Sequence, residues 1–152
     1  MTGYLAGFEP AMREALAEAG ASGEDVPVGA VVLDAAGTVI AHGHNLREAQ
    51  SDPTAHAEIV ALRAASAARG KWHLDDCTLV VTLEPCTMCA GAVLASRLPR
   101  LVYGAADPRA GAAGSVWDVL HDPRLGSPVE VLGGILAADC SALLQDFFGQ
   151  RR

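Results

Sequence analysis

Apolar positions along the chain fall into two periods. Residues 8 to 19 place Phe8, Met12, Ala15, Leu16 and Ala19 at helical spacing, predicting an amphipathic helix with a core-facing stripe and Gly20 as its C-cap. Residues 26 to 34, Val-Pro-Val-Gly-Ala-Val-Val-Leu-Asp, are rich in β-branched side chains; with Ala-Ala-Gly and then Thr38 to His42 they predict a hairpin. Pro27 belongs at the beginning or edge of its strand, because it lacks a ladder donor. Asn45 to Ala55 is polar and reads as a loop, and a helix starts at His56 and continues as Ile59 to Ala68. Cys77 to Leu83 predicts a buried strand, Cys86 to Leu98 a second helix and Arg100 to Gly104 a further strand. The second helix is small on one side, at Cys89, Ala90, Gly91, Ala92 and Ala95, which allows close packing. Ala105 to Ser115 is glycine- and alanine-rich and irregular, a candidate substrate loop. Val129 to Leu132 and Ala137 to Phe148 predict a last strand and a closing helix. Strand and helix alternating after an opening hairpin predict an α/β fold: a three-layer α/β/α sandwich around a central mixed five-stranded sheet.

Composition narrows the class without changing that picture. A chain of 152 residues with 51% hydrophobic residues is expected to form one globular domain over 1–152. No apolar run reaches the roughly 20 residues of a membrane span. The first ten residues lack a basic stretch followed by an apolar one, so no secretory signal is expected. Four cysteines with two in a metal motif fit a reducing cytoplasm better than a disulfide scaffold. The net charge of −7 opposes nonspecific binding to nucleic acid, which Lys and Arg drive by neutralising phosphates. That charge is uneven: all of it resides in residues 1–96, while residues 97–152 balance. Arg97, Arg100, Arg109, Arg124, Arg151 and Arg152 are therefore the candidate phosphate contacts, although most arginines simply face solvent.

Two short stretches carry the chemistry: His56-Ala57-Glu58, and Pro85-Cys86-Thr-Met-Cys89. One imidazole and two thiols give zinc three protein ligands, leaving the fourth tetrahedral position open, as in catalytic and not structural sites. Cys86 and Cys89 lie on one helix face, and Pro85 suits a helix start, where amide donors favour the metal-binding thiolate. Glu58 need not bind metal and is free to act as the proton shuttle between attacking water and substrate. A redox C-x-x-C pair would give no reason for His56 or Glu58. Cys77 is a conceivable fourth ligand, but six strand steps put it roughly 20 Å from Leu83; it and Cys140 read better as small buried residues. H-x-E followed by P-C-x-x-C is the signature of zinc nucleobase deaminases. It fits cytosine, guanine, adenine and other small-molecule deaminases equally well.

Longer strings resemble the bacterial tRNA-specific adenosine deaminase family. They are Pro27-Val-Gly-Ala30, Asp52-Pro-Thr-Ala-His-Ala-Glu58, Thr82 to Ala92, Gly111-Ala-Ala-Gly-Ser115, Asp118-Val-Leu-His121 and Leu144-Gln-Asp-Phe-Phe148. The resemblance covers nearly the whole chain. It implies the cytidine deaminase-like fold, one Zn2+ per subunit, a homodimer, and adenosine-to-inosine conversion at the first (wobble) anticodon position of an arginine tRNA with an ACG anticodon. By the same resemblance His56, Cys86 and Cys89 are the metal ligands and Glu58 the catalytic acid/base. Asn45 contacts the base, Val28 and Ala57 line its pocket, Asp107 lies near the ribose, and the partner is the tRNA anticodon stem-loop. Asn45 is alternatively a loop-turning residue, and Asp107 a plain loop residue before Pro108. Phe148 fits a base-stacking platform or a core position equally well. The chain departs from the family in having Arg109 where Lys is common and no basic tail beyond Arg152. The rival functions are a deaminase of free bases or nucleosides and a noncatalytic zinc or RNA-binding protein; Glu58, which no structural site requires, argues against the latter.

Overall fold

In a computed structural model, which describes residues 2–151, a mixed sheet lies between two helical layers. Two short elements and one long one open the chain: α1 (Thr2–Ala6), α2 (Glu9–Ala19) and the strand β1 (Gly29–Leu33). They are followed by β2 (Val39–His44), α3 (Arg47–Gln50), α4 (Ala57–Arg69), β3 (Thr78–Leu83), α5 (Thr87–Ala95), β4 (Arg100–Ala105), β5 (Glu130–Leu132) and α6 (Ala137–Gly149). The strands order as β2-β1-β3-β4-β5, with β1 antiparallel to both neighbours and β3, β4 and β5 parallel.

Alternation along each strand divides the core in two. Ala30, Val32, Leu79, Val81 and Leu101 point to the side packed by Ala57, Ala61, Leu62 and Ala65 of α4 and by Ala90 and Val93 of α5. Val31, Leu33, Val80 and Val102 point the other way, against Ala11, Met12 and Ala15 of α2 and Cys140 of α6. A sheet buried on both faces needs such continuous apolar runs, and all five β1 residues are buried.

The hairpin turn is fastened by Asp34, whose Oδ1 accepts from the amides of Ala36 and Thr38 at 2.9 Å each. Gly20 caps α2 as expected but keeps right-handed helical angles and leads into a 3-10 turn over Gly20–Ser22, which the chain leaves at Gly23, whose φ is 64°. One local expectation changes. The polar stretch after Asn45 contains the one-turn helix α3. Its end is tied from outside: the buried carboxylate of Asp25 accepts from the amides of Glu48 (2.8 Å) and Ala49 (3.3 Å).

Helix α4, which begins directly after His56, reaches its place because β2 carries a glycine beneath it. A Cβ on Gly43 would sit 2.4 Å from the carbonyl oxygen of Ala57 and 2.6 Å from the amide nitrogen of Ala61. Gly43→Ala is expected to cost about 1–3 kcal/mol by overpacking. Gly91→Ala, inside α5 with nothing within 4 Å of the added methyl, is expected to stabilise by about 1 kcal/mol through helix propensity. Chemical denaturation of the two variants measures both signs.

Candidate metal centre and substrate pocket

The ligand side chains meet because two helices begin at the same point. His56 is the residue immediately before α4, with extended angles (φ −68°, ψ 154°), and Cys86 holds the same position before α5 (φ −76°, ψ 179°). Cys89, three residues on, returns to the first turn of α5. His56 Nδ1 lies 3.6 Å from Cys86 Sγ and 3.4 Å from Cys89 Sγ. Zinc bonds of about 2.0–2.1 Å to nitrogen and 2.3 Å to sulfur at a tetrahedral angle require a nitrogen–sulfur separation of about 3.6 Å, close to both of these distances. Among the described residues this is the group of metal-ligating side chains with that convergence. Cys77 stands apart, buried against Arg69, whose Nη1 donates to its sulfur at 3.2 Å.

One of the three ligands is already deprotonated, and the other two hold protons that a metal must displace. Cys86 is held as a thiolate, its pKa brought down to about 3 chiefly by the Cys89 thiol donating to it and also by His56. Cys89, as that donor, is pushed far above the ordinary thiol range, and burial adds to the effect. His56 is raised by its hydrogen bond to Cys86. Zinc replaces protons here, so the site releases them as it fills.

Glu58, in the first turn of α4, is buried at 4% exposure. Burial lifts its pKa to about 6, against the pull of its own backbone amide and of His56. A cation on the ligands pulls the same way as His56. A carboxyl that titrates near neutrality is suited to both accepting and returning a proton.

These groups line a cavity of about 180 Å³, whose walls include Val28, Asn45, Arg47, His56, Glu58, Cys86, Asp107 and Ala110. Ala57 also lines it. Drug-sized pockets run to about 300–1,000 Å³, so this one takes a single heterocycle and leaves the rest of a larger substrate outside. A larger depression of about 460 Å³ beside Arg97, Leu125 and Val129 has no metal-ligating side chain. Asn45 is buried, with Nδ2 donating to the Val26 carbonyl (3.3 Å) and Oδ1 accepting from the Arg47 amide (3.2 Å). It therefore turns the loop and still has an amide hydrogen to offer. Asp107 Oδ1 accepts from the amides of Arg109 (3.0 Å) and Ala110 (3.2 Å). Phe148 is not among the cavity walls: it is 51% exposed on α6, edge-to-face with Phe147.

Two site residues escaped the sequence reading. Arg47 is a residue of the cavity wall, whereas the arginines singled out by charge balance all lie beyond residue 96. Glu84 stands one residue before the second motif and carries no role in the sequence reading. Its carboxylate is buried and accepts from the amides of Asp107 (3.1 Å), Ala113 (3.0 Å) and Ser115 (3.1 Å) and from the Ser115 hydroxyl. Burial raises its pKa, but those four donors outweigh burial and hold it below the ordinary carboxylate range. An acidic residue one position before Pro85, with a glycine-rich loop to satisfy, was the available signal.

Residues 8–105 match the family of the cytidine and deoxycytidylate deaminase zinc-binding region. The chain is 51% identical over 128 residues to a tRNA-specific adenosine deaminase of Haemophilus influenzae, covering 84% of this chain and 74% of the relative. It is 50% identical over 138 residues to a tRNA(Ile)-lysidine synthase of Deinococcus radiodurans, covering 91% of this chain but spanning only 24% of that longer relative. Among solved structures, one from studies of A-to-I editing by tRNA:A34 deaminases at the wobble position superposes with a TM-score of 0.85 at 41% identity, covering 89% of this chain and 99% of that one. A guanine deaminase from Nitrosomonas europaea superposes with a TM-score of 0.81 at 28% identity, covering 93% and 84%. The chain belongs to the zinc-dependent deaminases of the cytidine deaminase fold and, within them, to the tRNA-specific adenosine deaminase family.

Cys89→Ala is expected to reduce zinc from one per chain to near none, measured by mass spectrometry after dialysis. Cys77→Ala, which removes a buried thiol outside the cluster, is expected to keep the full zinc content.

Proposed function

We propose that the chain deaminates adenosine to inosine at the first anticodon position of a tRNA, the substrate being an arginine tRNA with an ACG anticodon. The observation that carries this reading is the cluster of His56, Cys86 and Cys89 at the wall of a base-sized cavity that His56, Cys86 and Glu58 line, in a chain so similar to tRNA-specific adenosine deaminases. When bound, zinc supplies Lewis acidity that lowers the pKa of water toward about 7. Glu58 takes the attacking water's proton and passes it to a ring nitrogen as the oxygen adds at the amine-bearing carbon. A second transfer through Glu58 goes to the amino group, so adenosine and water become inosine and ammonia. Asn45 offers its remaining amide hydrogen to the purine edge, and Val28 and the Ala57 backbone enclose the ring. The free oxygen of Asp107 accepts from the ribose 2′-hydroxyl, the group that distinguishes RNA from DNA.

The base must leave its stack to enter so small a cavity, and an unpaired anticodon loop makes that inexpensive. Arg47 at the wall supports a substrate carrying phosphate, which a free base lacks. Phe148 offers an exposed face on which a neighbouring loop base stacks. A homodimer is supported by the apolar depression between α4 and α5, lined by Ile59, Leu62, Trp72, Ala92 and Ala95, with Trp72 60% exposed. A cytoplasmic location follows from a tRNA substrate and agrees with the four free cysteines. No described helix is long and apolar enough to cross a membrane.

A second reading, deamination of a free base, is favoured by the acidic total charge and by the superposition on a guanine deaminase. The test compares the zinc-loaded chain on the arginine tRNA against free adenosine, adenine, cytosine, cytidine and guanine. Inosine at the first anticodon position, with no turnover of the free compounds, is expected; turnover of a free compound alone refutes the RNA substrate. Glu58→Ala is expected to lower kcat by at least about 10²-fold while one zinc per chain remains, and zinc loss in that variant would reassign Glu58 as a ligand.

A further inference from the structure

From Ala106 to Val129 the chain connects β4 to β5 with only an isolated bridge between Ala113 and Asp118. One end of this connection, at Asp107 and Ala110, forms cavity wall. The segment has turn hydrogen bonds of its own, such as the Gly111 amide to the Asp107 carbonyl (3.0 Å), and the Ala112 amide reaches the Pro85 carbonyl (2.8 Å); a single buried side chain adds four more and joins the two ends of the turn. Glu84 leaves the C-terminal end of β3, where its amide also donates to the Ala105 carbonyl at 2.8 Å. Its Oε1 receives the Asp107 amide and the Ser115 hydroxyl, and its Oε2 receives the amides of Ala113 and Ser115. One carboxylate thus gathers both ends of the 107–115 turn two residues from a metal ligand. The fit is close: a Cβ on Gly111 would come within 2.5 Å of both Glu84 Cδ and Oε2.

We propose that Glu84 is the positioning residue of the substrate loop, fixing Asp107 and Ala110 against the metal-bearing helix before substrate arrives. Preorganisation of this kind appears in binding: a loop already held needs no ordering when the nucleotide enters, whereas a released loop must be ordered by the substrate. Once substrate is bound, the same geometry is restored and the chemical step is little altered. The inference rests on reading 107–115 as the loop that receives the flipped nucleotide.

Glu84→Gln separates the two halves of the anchor. An amide group has one acceptor oxygen and one NH2 donor in place of two acceptor oxygens. Turning NH2 toward Ala113 and Ser115 opposes two amide donors. Turning it toward Asp107 opposes one and still allows donation to the Ser115 hydroxyl. The Asp107 end is therefore the end released.

In the zinc-loaded chain, Glu84→Gln is expected to speed hydrogen exchange at the Asp107 amide while Ala113 and Ser115 stay protected. The KM for the tRNA substrate is expected to rise about tenfold, the equivalent of one charge-assisted hydrogen bond, with kcat within about threefold and zinc still one per chain. Gly111→Ala, which displaces the loop but keeps the carboxylate, is expected to give the same rise in KM without loss of kcat. An unchanged KM in a Glu84→Gln chain whose Asp107 amide exchanges freely overturns the proposal. So does zinc loss with a fall in kcat, which would make Glu84 a support of the metal helix. If the wild-type chain forms no inosine in tRNA, the substrate reading fails instead, and the exchange pattern still decides whether Glu84 holds the loop.

Discussion

Everything in this fold answers to one geometric demand: an imidazole nitrogen and two thiol sulfurs must lie about 3.6 Å apart, where a tetrahedral ion can join them. No single helix supplies that set, because His56 and the cysteine pair are thirty residues apart in sequence. Two helices must therefore start at the same place. The short β3–α5 connection delivers Cys86 directly, since β3 ends at Leu83 and α5 begins at Thr87. The hairpin β1–β2 delivers His56 less directly, through the loop containing α3. Gly43 then lets the first turn of α4 settle against the sheet. Two helix starts at one point also concentrate amide donors beside the thiolates, which lowers the cost of holding negative charge there.

The second demand is to keep the cavity open and its walls still. Two buried carboxylates do this from opposite sides. Asp25 fastens α3, and with it the loop carrying Asn45 and Arg47; Glu84 fastens the turn carrying Asp107 and Ala110. Each carboxylate spends its lone pairs on backbone amides that no secondary structure satisfies, and unsatisfied buried donors are costly. The acidic charge of the N-terminal two-thirds is thus partly internal structure and not a surface facing the substrate. That weakens it as an argument against RNA.

Legibility in sequence followed the range of the interactions. Helix α2 was readable from five apolar positions at local spacing, β1 from its β-branched run, and the candidate metal cluster from motifs whose residue types the chemistry itself requires. The three-layer mixed sheet followed from alternation of these elements. What escaped was held from a distance. Helix α3 has no buried residue of its own and exists because a carboxylate more than twenty residues earlier receives its amides. Helix α1 is a single turn whose Tyr4 hydroxyl donates to Glu130 across most of the chain. Nothing local marks Arg47 as a cavity residue, and the one signal at Glu84, its place directly before Pro85, points to bracing only once the loop it meets is known.

Zinc-edge X-ray absorption on the zinc-loaded chain tests the central claim most directly. Two sulfurs at about 2.3 Å and two nitrogen or oxygen ligands at about 2.0–2.1 Å, one of them from solvent, are the predicted shell. Three or four sulfurs, or a shell closed entirely by protein side chains, would contradict an open site built from His56, Cys86 and Cys89.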